Sequence, residues 1–395
     1  MRILLLGPAH PYRGGLATFN ERLAEELVAA GHEVEVVTFT LQYPEVLFPG
    51  KSQTDDRPAP TAYPVRRMLN SVDPRSWWRT GRYLRQRRPD LIVARFWLPF
   101  MGPALGTALR VARRGRADGE RRVVALIDNI VPHERRPGDR TLARYFARSV
   151  DAFLVMSRSV ARELDAFRSR TQPVAYRPHP VYDNFGEPVA REEAVAALGI
   201  DPAYRYALFF GFIRGYKGLD LLLEAWELLS RDARFRESGP QLRLVVAGEY
   251  YEDESRYREL IDRLGIRDRL VLHTDFIPND RVRYYFGAAD LVVQPYRTAT
   301  QSGISQMAYH FGVPMVVTRV GGLPEIVPDG EAGYVIDVDA QAVADAIARF
   351  FALSGEAQAG FRQNVRRLAG EFGWPAFTQA LLDLAAGAGP QADQT

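Results

Sequence analysis

The chain has 395 residues, 47% of them hydrophobic and 25% charged, with a net charge of +3. That length is too great for one core and predicts two domains of roughly 150–200 residues each, in an ordinary globular protein. There is no cysteine, which excludes disulfides and thiolate metal sites.

The opening MRILLLGPAH is interrupted too early for a signal peptide and predicts a buried strand over Arg2–Gly7; the chain is expected in the cytoplasm. The strand runs into GPAHPYRGGLATFNERLAEEL, where Gly14 and Gly15 precede a helix over Leu16–Ala30. Glycine permits close backbone approach, and free amides at a helix start favour an anion or a polar sugar. A tight turn needing positive φ explains the pair equally well. The spacing is not GxGxxG, so no nicotinamide cofactor is indicated.

A strand over Glu33–Phe39 is followed by the basic segment RRMLNSVDPRSWWRTGRYLRQRR, residues 66–88, which carries Trp77 and Trp78. Two readings stay open: a helix lying on an anionic membrane surface, or a solvated helix whose tryptophans cover the core. The apolar stretch Leu91–Val111 contains Arg95, Pro99 and Pro103 and reads as a strand plus a helix, not a membrane span. After the strand Arg122–Ile127 comes DNIVPHERRPGDR. There Asp128, His133 and Glu134 stand at a strand C-terminus, where either Asp128 or His133 could orient or deprotonate an acceptor hydroxyl. The competing reading is that Asp128 and His133 pin the loop, with Arg135 and Arg136 as partners.

A strand over Ala152–Met156 precedes the proline-rich RPHPVYDNFGEP, Arg177–Pro188, the expected linker. It separates a first domain, 1–180, from a second, 189–370; residues 371–395 are read as a final helix and a frayed tail. The second series opens with strand Ala207–Phe210, then Gly211, Arg214 and Lys217 before a helix over Asp220–Ser230. Only two of the 51 basic residues are lysines, Lys51 and Lys217. A retained lysine hints at a place that needs a compact ammonium. Two cations beside a helix N-terminus form a candidate diphosphate site.

Strand Leu242–Ala247 ends at Gly248-Glu249, a carboxylate at a strand terminus. A helix over Ser255–Leu264 and a strand over Leu270–His273 follow. Main-chain groups around Asp275–Pro278, including Phe276 and Ile277, are candidates for reading a nucleobase edge. A helix over Asp280–Ala288, strand Leu291–Gln294, the polar group Gln301-Ser302-Gly303 and strand Met315–Val320 complete the series. Continuous apolar strands separated by helices imply parallel sheets covered on both faces. The fold class expected is α/β: two doubly wound, Rossmann-like domains whose strand C-termini face a central cleft.

GFIRGYKGLDLLLEAW, VVAGE, FIPNDRVRYYFGAADLVVQPY and FGVPMVVTRVGGLPEIVPDGEAGYVI, with the N-terminal GG-helix, stand in the order and spacing of the family 4 retaining glycosyltransferases. The chain resembles that family over almost its whole length. The resemblance implies the GT-B fold and transfer of a sugar from a nucleotide-sugar donor, with retention and without a metal or other cofactor. It implies that Arg214 and Lys217 bind the donor diphosphate. It also implies that the Gly14-Gly15 loop lies against donor and acceptor, and that the final helix, within Trp374–Ala386, crosses back to the first domain. Lys51 and its loop are acceptor candidates by the same resemblance, with His133 and Glu134. Family members often carry His where Asp128 stands.

The sequence departs from the family where two glutamates are usual. Alignment on Gly312-Val313-Pro314 places Ala299 and Met307 there, and the polar groups present instead are Gln301, Ser302, the Gly303 amide and Gln306. The chain looks like the QSG variant of the family. Gln301, Ser302 and the backbone at Gly303 and Ile304 are expected to hold the donor sugar and diphosphate, with Gly211 and Glu249 beside them.

The expected partners are a nucleotide-sugar donor and a glycan or lipid-linked acceptor, as in cell-surface polysaccharide or glycolipid synthesis. A non-catalytic nucleotide-sugar-binding protein, or another GT-B activity such as a nucleotide-sugar epimerase, are the alternatives. Nucleic acid is not expected, because the basic segment lacks a reading motif.

Overall fold

The structure is a computed structural model and describes residues 1–44, 52–54, 58–115, 122–131, 136–232 and 241–387. Two compact units emerge: Met1–His179 together with the segment from Trp374 onward, and Pro180–Gly373.

The first unit alternates strands and helices: β1 (Arg2–Leu6), α1 (Gly15–Ala29), β2 (Glu33–Leu41), β3 (Val65–Asn70), α2 (Pro74–Gln86), β4 (Leu91–Phe96) and α3 (Gly102–Arg113). It continues with β5 (Arg122–Ile127), α4 (Asp139–Ala147), β6 (Ala152–Val155), α5 (Arg158–Leu164) and β7 (Val174–Tyr176). Its sheet runs β3-β2-β1-β4-β5-β6-β7, and every pairing is parallel. The inner strands are buried end to end, as in the apolar run LIVARF of β4, because helices cover both faces. The order of connection reverses between β1 and β4, which opens a crevice at their C-terminal ends.

The second unit comprises α6 (Arg191–Leu198), β8 (Arg205–Phe210), α7 (Leu219–Arg231), β9 (Leu242–Ala247), α8 (Ser255–Leu264), β10 (Leu270–His273), α9 (Val282–Ala288) and β11 (Leu291–Gln294). There follow α10 (Gly303–Phe311), β12 (Met315–Thr318), α11 (Leu323–Ile326), β13 (Gly333–Ile336), α12 (Ala340–Phe351) and α13 (Gly355–Ala369). Its sheet, β10-β9-β8-β11-β12-β13, is again wholly parallel, and its switch point lies between β8 and β11.

The last helix, α14 (Trp374–Ala386), belongs to the first unit. Trp374 is 2% exposed, its ring centre 5.0 Å from that of Phe19 in α1 and 4.9 Å from the Arg22 guanidinium. Three strands were not expected from sequence. β3 is an edge strand with Arg66 and Arg67 exposed, so it shows no continuous apolar run. β7 has three residues and β13 four, too short for a periodic signal. Helix caps follow side-chain chemistry: Asp73 accepts from the Arg75 amide at the start of α2, and Asp339 from the Ala342 amide at the start of α12.

Candidate functional site

The switch point of the second unit gathers two loops. One leaves β8 through Gly211, whose φ of +94° favours glycine. A Cβ there would stand 3.1 Å from Lys217 Nζ and 3.2 Å from Ile304 Cδ1, so the ammonium and the first turn of α10 converge on that backbone. The loop crosses the exit of β9 closely: Gly248 has φ +138°, and a Cβ on it would lie 2.4 Å from the Gly211 carbonyl. Ile213 donates its amide to the Glu249 carbonyl at 2.9 Å, and Tyr251 returns its own to Ile213 at 3.0 Å. These bonds fix the Arg214–Lys217 turn, in which the Lys217 amide donates to the Arg214 carbonyl.

Among the described residues no carboxylate pairs with Arg214 or Lys217. Asp220 and Glu252, the nearby acids, are engaged elsewhere: Asp220 with Arg256 and Arg297, Glu252 with the Gly215 amide at 2.5 Å. The Arg214 guanidinium stacks 5.0 Å from the Tyr251 ring centre. Burial, then the neighbouring Arg214, pushes the Lys217 ammonium down to about 7. An unpaired, desolvated cation of this kind is stabilised by an incoming anion. Glu249 is 2% exposed at the end of β9. Phe276 and Ile277 are half-buried after β10, the edge strand beyond β9, at the same end of the sheet.

The second loop leaves β11. The Ser302 hydroxyl donates to Gln294 Oε1 at 2.5 Å, and Ser305 bonds the same amide, accepting from Nε2 at 3.0 Å. Gln294 ends β11, so the polar group first of all pins α10 to the strand it follows. Ser302 thus braces the loop: its side chain is buried and its proton is given to Gln294. Ser302 is also the N-cap residue of α10, yet its side chain caps no amide. The amides at Gly303 and Ile304 thus keep their capacity for an anion. Gly303 is needed sterically, since a Cβ would meet the Tyr182 ring at 2.7 Å. Gln301 is half-buried, whereas Gln306 is fully buried with no partner for its amide among the described residues. Ala299 and Met307, at the positions of the usual glutamates, are buried apolar residues.

In the first unit, Gly14 caps α1 with φ +97°, no side chain caps that helix, and no acid stands in its first turn. Asp128 follows β5 and is bound bidentately by Arg95 of β4, Nε to Oδ2 at 2.7 Å and Nη2 to Oδ1 at 2.6 Å. Arg95 also donates to Asn20 Oδ1 at 3.1 Å and lies 4.1 Å from the Phe19 ring centre. Asp128 is held by Arg95, and the Arg136 amide bonds Asp139; the other expected loop partner, Arg135, lies outside the described residues. A carboxylate with both oxygens on a guanidinium is fixed in its orientation. Arg95 is the residue that sequence reasoning missed, although a charge inside an apolar parallel strand must find a buried partner. Lys51, His133 and Glu134 lie outside the described residues.

Two Rossmann-like units, the second carrying cations and helix amides at its switch point, define the GT-B class of fold. Residues 13–184 match the family described as Glycosyltransferase Family 4, and residues 190–368 match Glycosyl transferases group 1. The chain belongs to the family 4 glycosyltransferases of the group 1 type. It is 33% identical over 282 residues to a D-inositol 3-phosphate glycosyltransferase of Saccharomonospora viridis, covering 69% of this chain and 58% of that protein. It is 31% identical over 219 residues to the lipopolysaccharide core biosynthesis mannosyltransferase LpsB of Rhizobium meliloti, covering 53% of this chain and 57% of that one. The structure of Anabaena HepE in complex with UDP superposes with a TM-score of 0.72 at 18% identity, over 98% of this chain and 100% of HepE, a likeness of fold.

Proposed function

We propose that the chain transfers a glycosyl group from a nucleoside diphosphate sugar to a hydroxyl of a glycan or lipid-linked acceptor, with retention and without a metal or other cofactor. The observation that carries this reading is the convergence of Lys217 Nζ and the first turn of α10 on Gly211. Lys217, Arg214 and the Gly303 and Ile304 amides hold the diphosphate and take up the charge that develops as it leaves. The bond from the anomeric carbon to the leaving phosphate oxygen breaks. The acceptor oxygen bonds on the same face, and its proton passes to that phosphate oxygen. The protein then supplies position and charge more than a base, in keeping with an Asp128 already committed to Arg95. Gln301 and Glu249 bind sugar and ribose hydroxyls, and the backbone at Phe276 and Ile277 reads the base.

The acceptor side includes a membrane contact. Arg75, Trp78, Arg79, Arg82 and Arg85 are exposed on α2, which carries no acidic residue, and Trp78 is 47% exposed. Trp77 instead turns inward, packing on the core and donating Nε1 to the Asn70 carbonyl at 2.7 Å. Among the described residues no helix is long and apolar enough to cross a membrane. Co-sedimentation with phosphatidylglycerol vesicles at low salt, abolished by Trp78→Ala with Arg79→Glu and Arg82→Glu, is expected; binding no better than to neutral vesicles would remove this part.

The experiment for the whole reading is a thermal-shift panel of nucleoside diphosphates and nucleotide sugars in EDTA, on wild type and Lys217→Ala. A ligand that binds only the folded state raises the melting temperature. One nucleotide series should shift wild type and not the variant. Slow donor hydrolysis should accompany binding, which separates transfer from a non-catalytic binding protein. An epimerase would release an altered nucleotide sugar instead.

A further inference from the structure

The second unit has a cavity of about 350 Å³ lined by Arg191, Arg362, Arg366, Asp290 and the rings of Phe286 and Phe311. It lies at the other end of the sheet from Gly211. Asp290 immediately precedes β11, and its Oδ2 accepts the Tyr206 amide at the start of β8 at 2.9 Å. The six residues of β8 then span roughly 20 Å before Gly211 is reached. Nothing assigned to the sugar donor extends here.

The charges around this cavity do not balance. Asp290 pairs with Arg205 at 2.8 Å, Arg191 at 3.5 Å and Arg362 at 3.6 Å. Arg191 and Arg362 also donate to the Ala288 and Ala289 carbonyls at the end of α9, at 2.6 and 3.0 Å. Capping that helix and bracing Asp290 accounts for three of the guanidiniums. It does not account for Arg366, which pairs with no carboxylate among the described residues and lies along Gly312, where a Cβ would stand 2.9 Å from its Nε. Against the three lining guanidiniums, Asp290 and a helix end of about −0.5 leave roughly 1.5 positive charges uncompensated. Burial lowers the Arg362 pKa, Asp290 opposes this, and Arg205, Arg366 and Arg191 add to the lowering. Beside the cations, Phe286 and Phe311, 1% and 7% exposed, stack with centroids 5.1 Å apart and line the cavity's floor.

We propose that this cavity binds a phosphomonoester with a small organic body, its phosphate between Arg362 and Arg366 and its body against Phe286 and Phe311. Planar guanidiniums suit phosphate oxygens, a dianion restores neutrality, and the volume lies within the range of small-molecule sites. The inference is independent of the donor site and stands or falls without it.

The test is a thermal-shift titration of the full chain at low ionic strength, without nucleotide, using glucose 6-phosphate, inorganic phosphate and glucose as probes. Glucose 6-phosphate should raise the melting temperature by a few degrees at about 10 mM, phosphate less, and glucose not at all. Arg366→Ala should abolish the shift and Lys217→Ala should leave it. Arg366 is exposed on α13, so its replacement is compatible with folding. If Arg366→Ala lowers the starting melting temperature, calorimetric titration of Arg366→Gln reads the same loss of binding. No shift with either phosphate overturns the proposal, as does a shift lost in Lys217→Ala but kept in Arg366→Ala. Equal shifts from phosphate and glucose 6-phosphate would overturn the organic body and leave free phosphate as the ligand.

Discussion

Arg95 and Asp128 meet in two nearly parallel hydrogen bonds of 2.7 and 2.6 Å, both side chains buried, across neighbouring strands of the first unit. β4 and β5 pair in parallel, and Arg95 stands opposite Leu126, two residues before Asp128. The guanidinium thus reaches along the strand to a carboxylate at its exit.

Breaking this pair should cost stability before it costs chemistry. Asp128→Asn leaves Arg95 buried without a counter-charge and should destabilise the protein by about 3–5 kcal/mol. Replacing both together, Arg95→Met with Asp128→Leu, should cost less than the single change. Chemical denaturation of the two variants checks this. A catalytic base at Asp128 would give the opposite pattern, with turnover lost at unchanged stability.

Lys217 gives two pH trends of opposite sign. Its folded pKa of about 7 lies below the ordinary lysine value, so between about pH 7 and 9 the unfolded chain binds the extra proton. Without ligand, this group makes stability rise with pH across that window. Donor binding needs the ammonium, so nucleotide affinity should fall from about pH 6.5 to about 8.5 as the free protein loses its proton. Lys217→Ala should flatten both trends and lower transfer on the order of 100-fold or more. Calorimetric nucleotide titration and thermal melts across the same pH series read the two signs separately.

The fold was legible because its information is local. Runs such as RILLL and LRLVVA are buried parallel strands by composition alone, Gly211 marks a strand exit and Gly14 a helix start. The Arg214–Lys217 turn was legible for the same reason, both cations falling between one strand and one helix. What was not legible is pairing across long separations. Asp128 finds Arg95 33 residues away, and the Arg366 side chain reaches Gly312 from a different helix. The bond from Ser302 to Gln294 was not legible either, because sequence cannot tell whether a hydroxyl at a helix start faces outward or back to the preceding strand.

The C-terminal helix should matter to the first unit alone. Trp374 and Phe377 pack on Phe19, with ring centroids 5.0 and 5.6 Å away. Trp374→Ala should cost about 3–5 kcal/mol, because a fully buried indole leaves a cavity. Hydrogen exchange should register that loss in β1, α1 and β5, while the amides of β8 and β9 keep their protection.

Gln301 and Ser302 are adjacent, yet their substitutions should separate. Ser302→Ala removes one of the bonds to Gln294 and leaves part of a buried amide unsatisfied, at a cost of about 1–3 kcal/mol. Donor affinity should change little in that variant, because the anion is held by the α10 amides and Lys217. Gln301→Ala should leave the melting temperature near wild type and weaken donor binding about tenfold, the worth of one good hydrogen bond. Measuring the melting temperature and the nucleotide-sugar dissociation constant for both variants tests the division. A Ser302→Ala protein of native stability with lost affinity would make the hydroxyl a ligand after all. A Gln301→Ala protein with unaltered affinity and turnover would leave the sugar to be held by Glu249 and the backbone alone.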